Sequence, residues 1–534
     1  MILSIINYFK RNQWQLLLIF LLGHTIVSSF YIQQQDLTFD EKPYYNYVVR
    51  WMHGDVSRKE NIDDSKTPAV FPSVIPRAII QLFNKNYVAN DLGVADMLHG
   101  RYVMCIYTLL IAIILFLWIR DLTGKENLFW TIPLLLFLFD PMVLAYSMII
   151  LSDMASGFAM LITLFSLWRF YKFKSVKYFY IFCLALSFSF IVKPSTVFLI
   201  PCLLLFFILL ELYSKKNLFQ LINLKRGLIL LITIFLFINA SYQFKDSFRT
   251  IKSYHFKSEL FKTIQNNTTS LGFIPIPFPS SYIYSYDLVQ RNKEVGGGVE
   301  GSSYRGVFLN GETKLKGGFW NYYIEVGLIK IPVVSLLFIL TTVFFGLYIF
   351  KRKSFWNFHS WYIIPIIFYL LVMSFLNPFQ IGIRHLLIIY PLFFIAIAVA
   401  ISHALRKRRN LQYVFLALVL IFLTDVVYYY PNYIPYTNWF VVKKKNVYLK
   451  TNDSNIDYGQ SLSKIRDFIK QNSEFKVPTV KPQVGKFIAS IEQIQKFGYL
   501  HPNSFDWLLK HKPVGHYNYS LLLFDIKEND LNRD

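Results

Sequence analysis

Two adjacent carboxylates, Asp40 and Glu41, stand a short distance beyond the first long apolar run of the chain, 12–31. A carboxylate held just outside a bilayer could accept a proton from an attacking hydroxyl, a general-base role worth about 10²–10⁴ in rate. The plainer alternative is an acidic pair in the first turn of a helix, where negative charge is favourable. The aromatic residues that follow are of the kind that collects at membrane–water interfaces: Tyr44, Tyr45, Tyr47 and Trp51.

Cations that could bind a phosphate stand at the ends of later apolar runs. Arg101 precedes the second run and Lys193 follows the fifth. Arg384 and His385 begin the tenth run. An arginine offers a planar fork that binds phosphate through two hydrogen bonds. For Arg101 and Lys193, the alternative is a long side chain that reaches from a helix end to the membrane surface.

Asp153 lies inside the fourth apolar run, 150–170. An ionisable residue within a membrane segment is costly, and by default it marks a functional site. We expect this acid to converge with Asp40 and the cations beneath one external vestibule. Acids and cations in one layer suit transfer from a phosphate-linked donor, because the cations neutralise the departing phosphate while an acid activates the attacking group.

The elements that must position these residues are membrane-spanning helices. The chain has 534 residues, of which 54% are hydrophobic. The apolar residues come in blocks long enough to cross a hydrocarbon core of about 30 Å. We therefore predict an all-α polytopic membrane protein with eleven spans: 12–31, 102–119, 127–146, 150–170, 178–192, 195–213, 227–243, 329–350, 361–376, 385–404 and 411–430.

The formal net charge of +23 does not indicate a nucleic-acid-binding protein, because the cations cluster in alternate short loops. This positive-inside pattern predicts a cytoplasmic N-terminus, with the C-terminus and the active site extracytoplasmic. The Lys-, Ile-, Phe- and Tyr-rich composition suggests a bacterial inner (plasma) membrane. The clustered cations are Lys10, Arg11, Arg120, Lys125, Arg169, Lys172, Lys174, Lys177, Lys215, Lys216, Lys225, Arg226, Lys351, Arg352, Lys353, Arg406, Lys407, Arg408 and Arg409.

Three stretches are too polar to lie in a membrane, and all three are predicted to be external: 32–101, 244–328 and 431–534. We divide the chain into a transmembrane catalytic module, 1–430, and a small C-terminal extracytoplasmic domain, 431–534, that is α/β or irregular. Within the last stretch, apolar residues at helical spacing predict a helix with one apolar face: Leu462, Ile465, Phe468 and Ile469.

No motif for a soluble cofactor is present. The sequence has no P-loop, no glycine-rich dinucleotide fingerprint and no Asp-x-Asp pair for a metal-bound nucleotide sugar. Its three cysteines, Cys105, Cys183 and Cys202, lie in apolar runs without the spacing of metal ligands, and we expect them to be inert. We therefore predict no cofactor and no resident metal site. A nucleotide-activated donor is scarce outside the cell, which favours a phosphate-bearing lipid.

A series of short motifs runs in order along nearly the whole chain: Phe39-Asp40-Glu41, His99-Gly100-Arg101, Leu151-Ser152-Asp153-Met154, Ile191-Val192-Lys193-Pro194-Ser195, Leu309-Asn310-Gly311-Glu312, Gly318-Phe319-Trp320-Asn321-Tyr322-Tyr323, Leu328-Ile329-Lys330-Ile331-Pro332, Ile381-Gly382-Ile383-Arg384-His385-Leu386-Leu387, Tyr390-Pro391 and Asp453-Ser454-Asn455-Ile456-Asp457-Tyr458-Gly459-Gln460. Together they resemble the polyprenyl-phosphate-dependent glycosyltransferases of the GT-C superfamily, specifically the protein-mannosyltransferase-like group and its bacterial relatives.

This resemblance implies a GT-C fold with about eleven transmembrane helices and juxtamembrane helices in the external loops. It implies inverting transfer of a monosaccharide from a polyprenyl-phosphate donor to a glycan, lipid or protein acceptor, with Asp40 as general base and Glu41 supporting it. The resemblance assigns donor-phosphate binding to Arg101, Lys193, Arg384 and His385, and supporting roles to Asp153 and Lys330. Some relatives use a divalent metal, so a metal requirement stays open.

The chain departs from the family pattern at two points. Thr67-Pro68-Ala69-Val70 replaces a His-Pro-Pro-Leu step, which removes a histidine contact, and Ile331 replaces a threonine. Two alternatives stay open: a secondary transporter or lipid flippase, and a non-catalytic envelope assembly protein of the same fold. Transporters usually contain internal repeats and mid-membrane charges, whereas the charges here stand at the ends of apolar runs.

Overall fold

The computed structural model describes residues 8–85, 87, 94–125, 127–214, 223–268, 272–295, 306–314, 316–349, 355–408, 410–495 and 505–531. Helices fill all eleven predicted runs: Gln13–Ile32, Ile106–Thr123, Thr131–Leu138 with Pro141–Tyr146, Asp153–Phe173, Val176–Val192, Leu199–Ser214, Leu224–Ser241, Val333–Ile349, Ser360–Leu371, Tyr390–Lys407 and Leu411–Tyr429. Of the clustered cations, Lys215, Lys216, Lys351, Arg352, Lys353 and Arg409 lie outside the described residues.

Over the described ranges, seven helices are long and apolar enough to cross a membrane: Gln13–Ile32, Val94–Thr123, Asp153–Phe173, Pro194–Tyr213, Leu224–Ser241, Phe355–Phe375 and Leu411–Tyr429. Three of the predicted runs form shorter apolar helices: Val176–Val192, Val333–Ile349 and Tyr390–Arg406. The expectation of an all-α polytopic membrane protein is therefore confirmed.

The predicted run 127–146 is two short helices rather than one. Pro141 begins the second helix, since proline has no backbone N–H to continue the ladder of the first. The side chain of Asp140 caps this start by accepting a hydrogen bond of 2.9 Å from the backbone N–H of Met142. Its other oxygen accepts one of 2.7 Å from the Tyr390 hydroxyl, so this buried carboxyl has partners on two elements.

Short helices fill the first predicted external stretch: Glu41–Met52, the 3₁₀ segment Pro68–Val74, Ile75–Phe83 and Val94–Met104. The second stretch contains helices Glu259–Asn267, Ser280–Glu294 and Tyr322–Lys330, a two-stranded pairing of Arg249–Thr250 with Pro275–Ile276, and the hairpin Val307–Leu309 with Glu312–Lys314. The helices expected in these two stretches are therefore present.

The C-terminal stretch carries a four-stranded sheet with one helix on it. In sheet order the strands are Phe475–Lys476, Gly485–Ser490, Leu521–Ile526 and Gly515–Tyr517; the first pair is parallel and the others are antiparallel. The predicted helix is confirmed as Leu462–Gln471, and its Ile465 packs against Ile488 and Leu521 of the sheet. Short 3₁₀ segments, Lys444–Leu449 and Asp453–Asn455, precede it.

The helix Asp153–Phe173 lies deep in the bundle and packs closely on the segment that carries Arg384. That segment is the 3₁₀ helix Ile383–Ile388. A side chain at Gly157 would place its Cβ only 2.6 Å from the backbone carbonyl oxygen of Leu387. The close approach of the two backbones therefore requires glycine at this position.

We expect Gly157→Ala to destabilise the protein by about 1–3 kcal/mol, because a backbone carbonyl must move to admit the methyl group. Gly23→Ala is the matched control, since its Cβ would lie 3.5 Å from a ring atom of Phe139, an ordinary contact. Alanine is also the better helix former, so the control should melt at the same or a higher temperature. Thermal unfolding of both variants in detergent tests this, and equal melting temperatures would contradict it.

Candidate active site

Five charged side chains from five parts of the chain form one alternating network. Lys66 Nζ lies 3.4 Å from Asp40 Oδ1, and Arg384 Nη2 lies 3.3 Å from Asp40 Oδ2. Arg384 Nη1 lies 3.1 Å from Asp153 Oδ2, and Lys193 Nζ lies 2.7 Å from Asp153 Oδ1. The order Lys66–Asp40–Arg384–Asp153–Lys193 brings together four of the predicted site residues and adds Lys66. We call these five residues the ion-pair network.

Helix ends place these charges. Asp40 immediately precedes the helix Glu41–Met52, and Asp153 begins the helix Asp153–Phe173. Lys193 follows the last residue of the helix Val176–Val192. Each carboxylate therefore lies at a positive helix N-terminus and this lysine at a negative C-terminus, which is the favourable polarity in all three cases.

Burial divides the network into a closed centre and an open rim. The side chains of Asp153 and Arg384 are 3% and 5% exposed, whereas those of Asp40 and Lys193 are 30% and 21% exposed. Burial by itself raises the pKa of Asp40, but the charges of Lys66 and Arg384 outweigh it and hold that pKa below its usual range. Asp40 is thus an ionised carboxylate that solvent can reach.

The stretch 453–458 completes the surroundings of Arg384. The Tyr458 hydroxyl donates to Asp40 Oδ2, and the guanidinium carbon of Arg384 lies 4.6 Å from the centre of the same tyrosine ring. Arg384 Nε donates to Ser454 Oγ at 3.1 Å. Asn455 Oδ1 accepts a hydrogen bond of 2.9 Å from the backbone N–H of Ile383. The stretch 453–458 therefore fixes both the side chain and the backbone of the Arg384 segment.

Two further predicted residues lie beside the network. Burial lowers the pKa of the half-buried His385 well below its usual value, and the charges of Lys193 and Arg384 lower it further, so its imidazole is neutral at pH 7. Lys330 is buried and donates to the backbone carbonyls of Ile434 and Asn455. Its contact with the network is indirect, through the segment that holds Arg384.

Arg101 and Glu41 form a separate, closed pair. Both side chains are fully buried, and Arg101 Nε donates to Glu41 Oε1 at 2.8 Å. The guanidinium Nη1 donates to the carbonyls of Ile32 and Gln35, and Nη2 donates to the carbonyl of Asp36 and to Glu41 Oε2. All five of its N–H groups are therefore used. The arrangement leaves Arg101 no free donor for a phosphate and leaves Glu41 no open face for an acceptor.

Sequence reasoning missed Lys66, Tyr458 and Ser454 as site residues. Lys66 directly precedes the Thr67-Pro68 step, and the Thr67 hydroxyl donates to the Val192 carbonyl at 2.8 Å, which brings this loop beside Lys193. Its position before the divergent Thr67–Val70 motif could have drawn attention to it. Tyr458 and Ser454 stand in the tail motif 453–460, whose contact with Asp40 only the folded chain reveals.

No group of three or more His, Cys, Asp or Glu side chains suited to a metal ion occurs within the parts of the chain that the structure describes. In the network, both carboxylates are already engaged by cations.

Neither a protein-family model nor a curated protein matches this chain. Among solved structures, the chain is similar to "Crystal Structure of ArnT from Cupriavidus metallidurans bound to Undecaprenyl phosphate", with 12% sequence identity and a TM-score of 0.48. The similarity covers 81% of this chain and 68% of that chain. At this identity and TM-score, the likeness carries no conclusion about activity.

We expect Glu41→Gln to lower the free energy of unfolding by about 3–5 kcal/mol, because it leaves the buried charge of Arg101 uncompensated. Glu60→Gln is the control: Glu60 pairs with Arg291 at 2.7 Å, but its side chain is 45% exposed, and such pairs are worth at most about 1 kcal/mol. Unfolding in detergent measures both variants. A Glu41→Gln protein as stable as the control would contradict the closed pair.

Proposed function

We propose that this protein is a membrane glycosyltransferase of the GT-C fold that moves a monosaccharide from a polyprenyl-phosphate donor to an acceptor hydroxyl or amine. The reaction inverts the anomeric carbon, with Asp40 as general base. Lys193 and Arg384 bind the donor phosphate, and Asp153 orients both of them. Arg101 and Glu41 are positioning residues, because their buried pair fixes the start of the helix that follows Asp40.

The observation that carries this proposal is the charge excess of the ion-pair network. Its own five side chains are three cations and two carboxylates, a formal excess of one positive charge for an anionic ligand. The nearby Asp453, whose pKa burial raises to about 6, forms no ion pair with them in the described chain. The phosphodiester of a lipid-linked sugar carries one negative charge. Lys193 and Asp40 are the most exposed members, so a ligand can reach a cation and a carboxylate together.

The reaction balances within this network. The acceptor oxygen or nitrogen forms a bond to the anomeric carbon, the bond from that carbon to the phosphate oxygen breaks, and the acceptor proton passes to Asp40. Asp40 thereby loses one negative charge, and the departing phosphate gains one. Negative charge moves away from a carboxylate and towards Lys193 and Arg384, which is the direction in which fixed cations stabilise a transition state.

The same geometry couples donor binding to the basicity of Asp40. Lys66 and Arg384 hold the pKa of Asp40 below its usual range, which makes it a weak base without a donor. A phosphate that draws the guanidinium of Arg384 towards itself weakens that hold. The pKa of Asp40 then rises, and a base works best when its pKa approaches the working pH.

The proposed setting is the outer face of a bacterial inner membrane, with the N-terminus in the cytoplasm. The alternation of basic loops supports this orientation. The acceptor is a glycan, a lipid or a protein on that face. Tyr458 donates a hydrogen bond to Asp40, so it lies beside the proposed general base.

We expect Asp40→Asn to reduce sugar transfer by at least about 10²-fold, because the amide cannot accept the acceptor proton. Binding of the polyprenyl-phosphate sugar should persist, since the cations remain. Mass spectrometry of envelope glycans from cells that carry the variant measures transfer and also identifies the sugar and the acceptor.

Asp55→Asn is the matched control for this experiment. Asp55 belongs to the same polar stretch and its side chain is 46% exposed, but it pairs with Arg50, outside the network. An unchanged glycan product from Asp40→Asn would rule out the mechanism. Lipid-linked sugar that crosses vesicle membranes without transfer would instead favour the flippase alternative.

Lys193→Gln should weaken binding of polyprenyl phosphate by about 10–150-fold, which corresponds to about 1.5–3 kcal/mol for a hydrogen bond to a charged group. Lys262→Gln removes an equal charge from an exposed position on the helix Glu259–Asn267 and should leave affinity unchanged. A binding titration in detergent compares the two. Equal affinities would show that Lys193 does not contact the phosphate.

A further inference from the structure

A basic cavity lies at the end of the bundle opposite to the ion-pair network. The helix Gln13–Ile32 has 20 residues and spans about 30 Å. Its last residue, Ile32, lies beside Arg101 near the network, whereas its first residue lines the cavity. The cavity has a volume of about 480 Å³ and is lined by Lys10, Arg11, Gln13, Trp14, Arg120 and Lys125.

Within the described residues, the cations that line this cavity form no ion pairs. Four of the six lining residues are cations and none is an acid, and no ion pair joins these cations to any carboxylate in the described part of the chain. Asp121, next to Arg120 in sequence, is bound by Arg169 Nε at 2.9 Å. The Nε of Arg120 is buried without a hydrogen-bond partner.

Hydrogen bonds of the Gln13 side chain join the chain segments that line the cavity. Gln13 Nε2 donates to the carbonyls of Lys125 and Lys10, at 2.8 and 3.2 Å, and Gln13 Oε1 accepts from Trp130 Nε1 at 3.2 Å. The guanidinium carbon of Arg120 lies 4.7 Å from the ring centre of Phe116. These contacts fix the backbone at Lys10 and Lys125 on two sides of the cavity, so both lysines project from a defined backbone.

An exposed apolar stripe begins at the cavity and runs the length of the first helix. Its members recur every four residues, so each lies about one turn above the last and about 40° further around the helix. Each is more than half exposed: Trp14, Leu18, Leu22, Ile26 and Phe30. In a membrane this stripe contacts acyl chains. A ligand whose anionic headgroup enters the cavity can therefore lay its apolar chains along the same helix.

We propose that the cavity is a binding site for an anionic phospholipid, with the phosphodiester headgroup among Lys10, Arg11, Arg120 and Lys125 and the acyl chains along the stripe that begins at Trp14. Basic pockets between membrane helices are known to bind anionic headgroups. A free phosphate ion would match the cations but would not use the apolar residues that begin at the edge of the cavity. The site is separate from the proposed sugar-transfer centre.

The test is native mass spectrometry of the full chain in neutral detergent, titrated separately with phosphatidylglycerol, phosphatidylcholine and inorganic phosphate. We expect phosphatidylglycerol to bind in preference to phosphatidylcholine, and excess inorganic phosphate not to displace it. Removing two cations in Lys10→Gln/Lys125→Gln should weaken phosphatidylglycerol binding about 30-fold, at about 1 kcal/mol for each charge.

The double variant Lys177→Gln/Lys225→Gln is the matched control, because both of these lysines are exposed cluster cations outside the cavity. The Lys10 and Lys125 substitutions keep the backbone carbonyls that hold Gln13, so the fold is retained, and the melting temperature without lipid checks this. Equal lipid binding by the two double variants would overturn the proposal. So would equal binding of phosphatidylcholine, and displacement by inorganic phosphate would reduce the cavity to a site for free phosphate.

Discussion

The guanidinium of Arg384 holds the two carboxylates of the candidate site together, and it does so almost entirely out of water. A buried ion pair gains Coulombic energy but loses hydration, so the net benefit depends on whether every polar atom finds a partner. Arg384 meets this condition with Asp40, Asp153 and Ser454, one for each of its nitrogens. The two lysines of the network pair with the carboxylates that Arg384 joins, Lys66 with Asp40 and Lys193 with Asp153.

Asp40 and Glu41 are neighbours in sequence but have opposite surroundings. Successive residues at a helix start point about 100° apart, so one side chain can face an opening while the next faces the core. Asp40 turns towards Arg384 and solvent, whereas Glu41 turns inward to Arg101. The inner pair fixes the backbone from which the outer carboxylate projects. One short acidic motif thus supplies both the exposed carboxylate of the candidate site and its support.

Much of the architecture could be predicted from sequence, because a membrane imposes length and apolarity on every span. Spacing also predicted the tail helix at Leu462–Gln471, and costly charges at helix ends indicated Asp153 and Lys193. The partner of each charge could not be read from sequence in this way. The sequence pattern around an arginine at a helix start is the same whether it binds a phosphate or a neighbouring glutamate. Only the folded structure showed that the N–H donors of Arg101 are all used within the protein.

Lys66 and Tyr458 were missed for a related reason: both reach Asp40 through tertiary contacts of irregular segments, which leave no periodic pattern in the sequence.

The long separation between Tyr458 and Asp40 has a consequence for biogenesis. Tyr458 follows Asp40 by 418 residues, so Asp40 leaves the ribosome long before the tyrosine that hydrogen-bonds to it. A nascent chain therefore inserts its helices with an unfinished centre, which becomes complete only after the tail has been translated and docked.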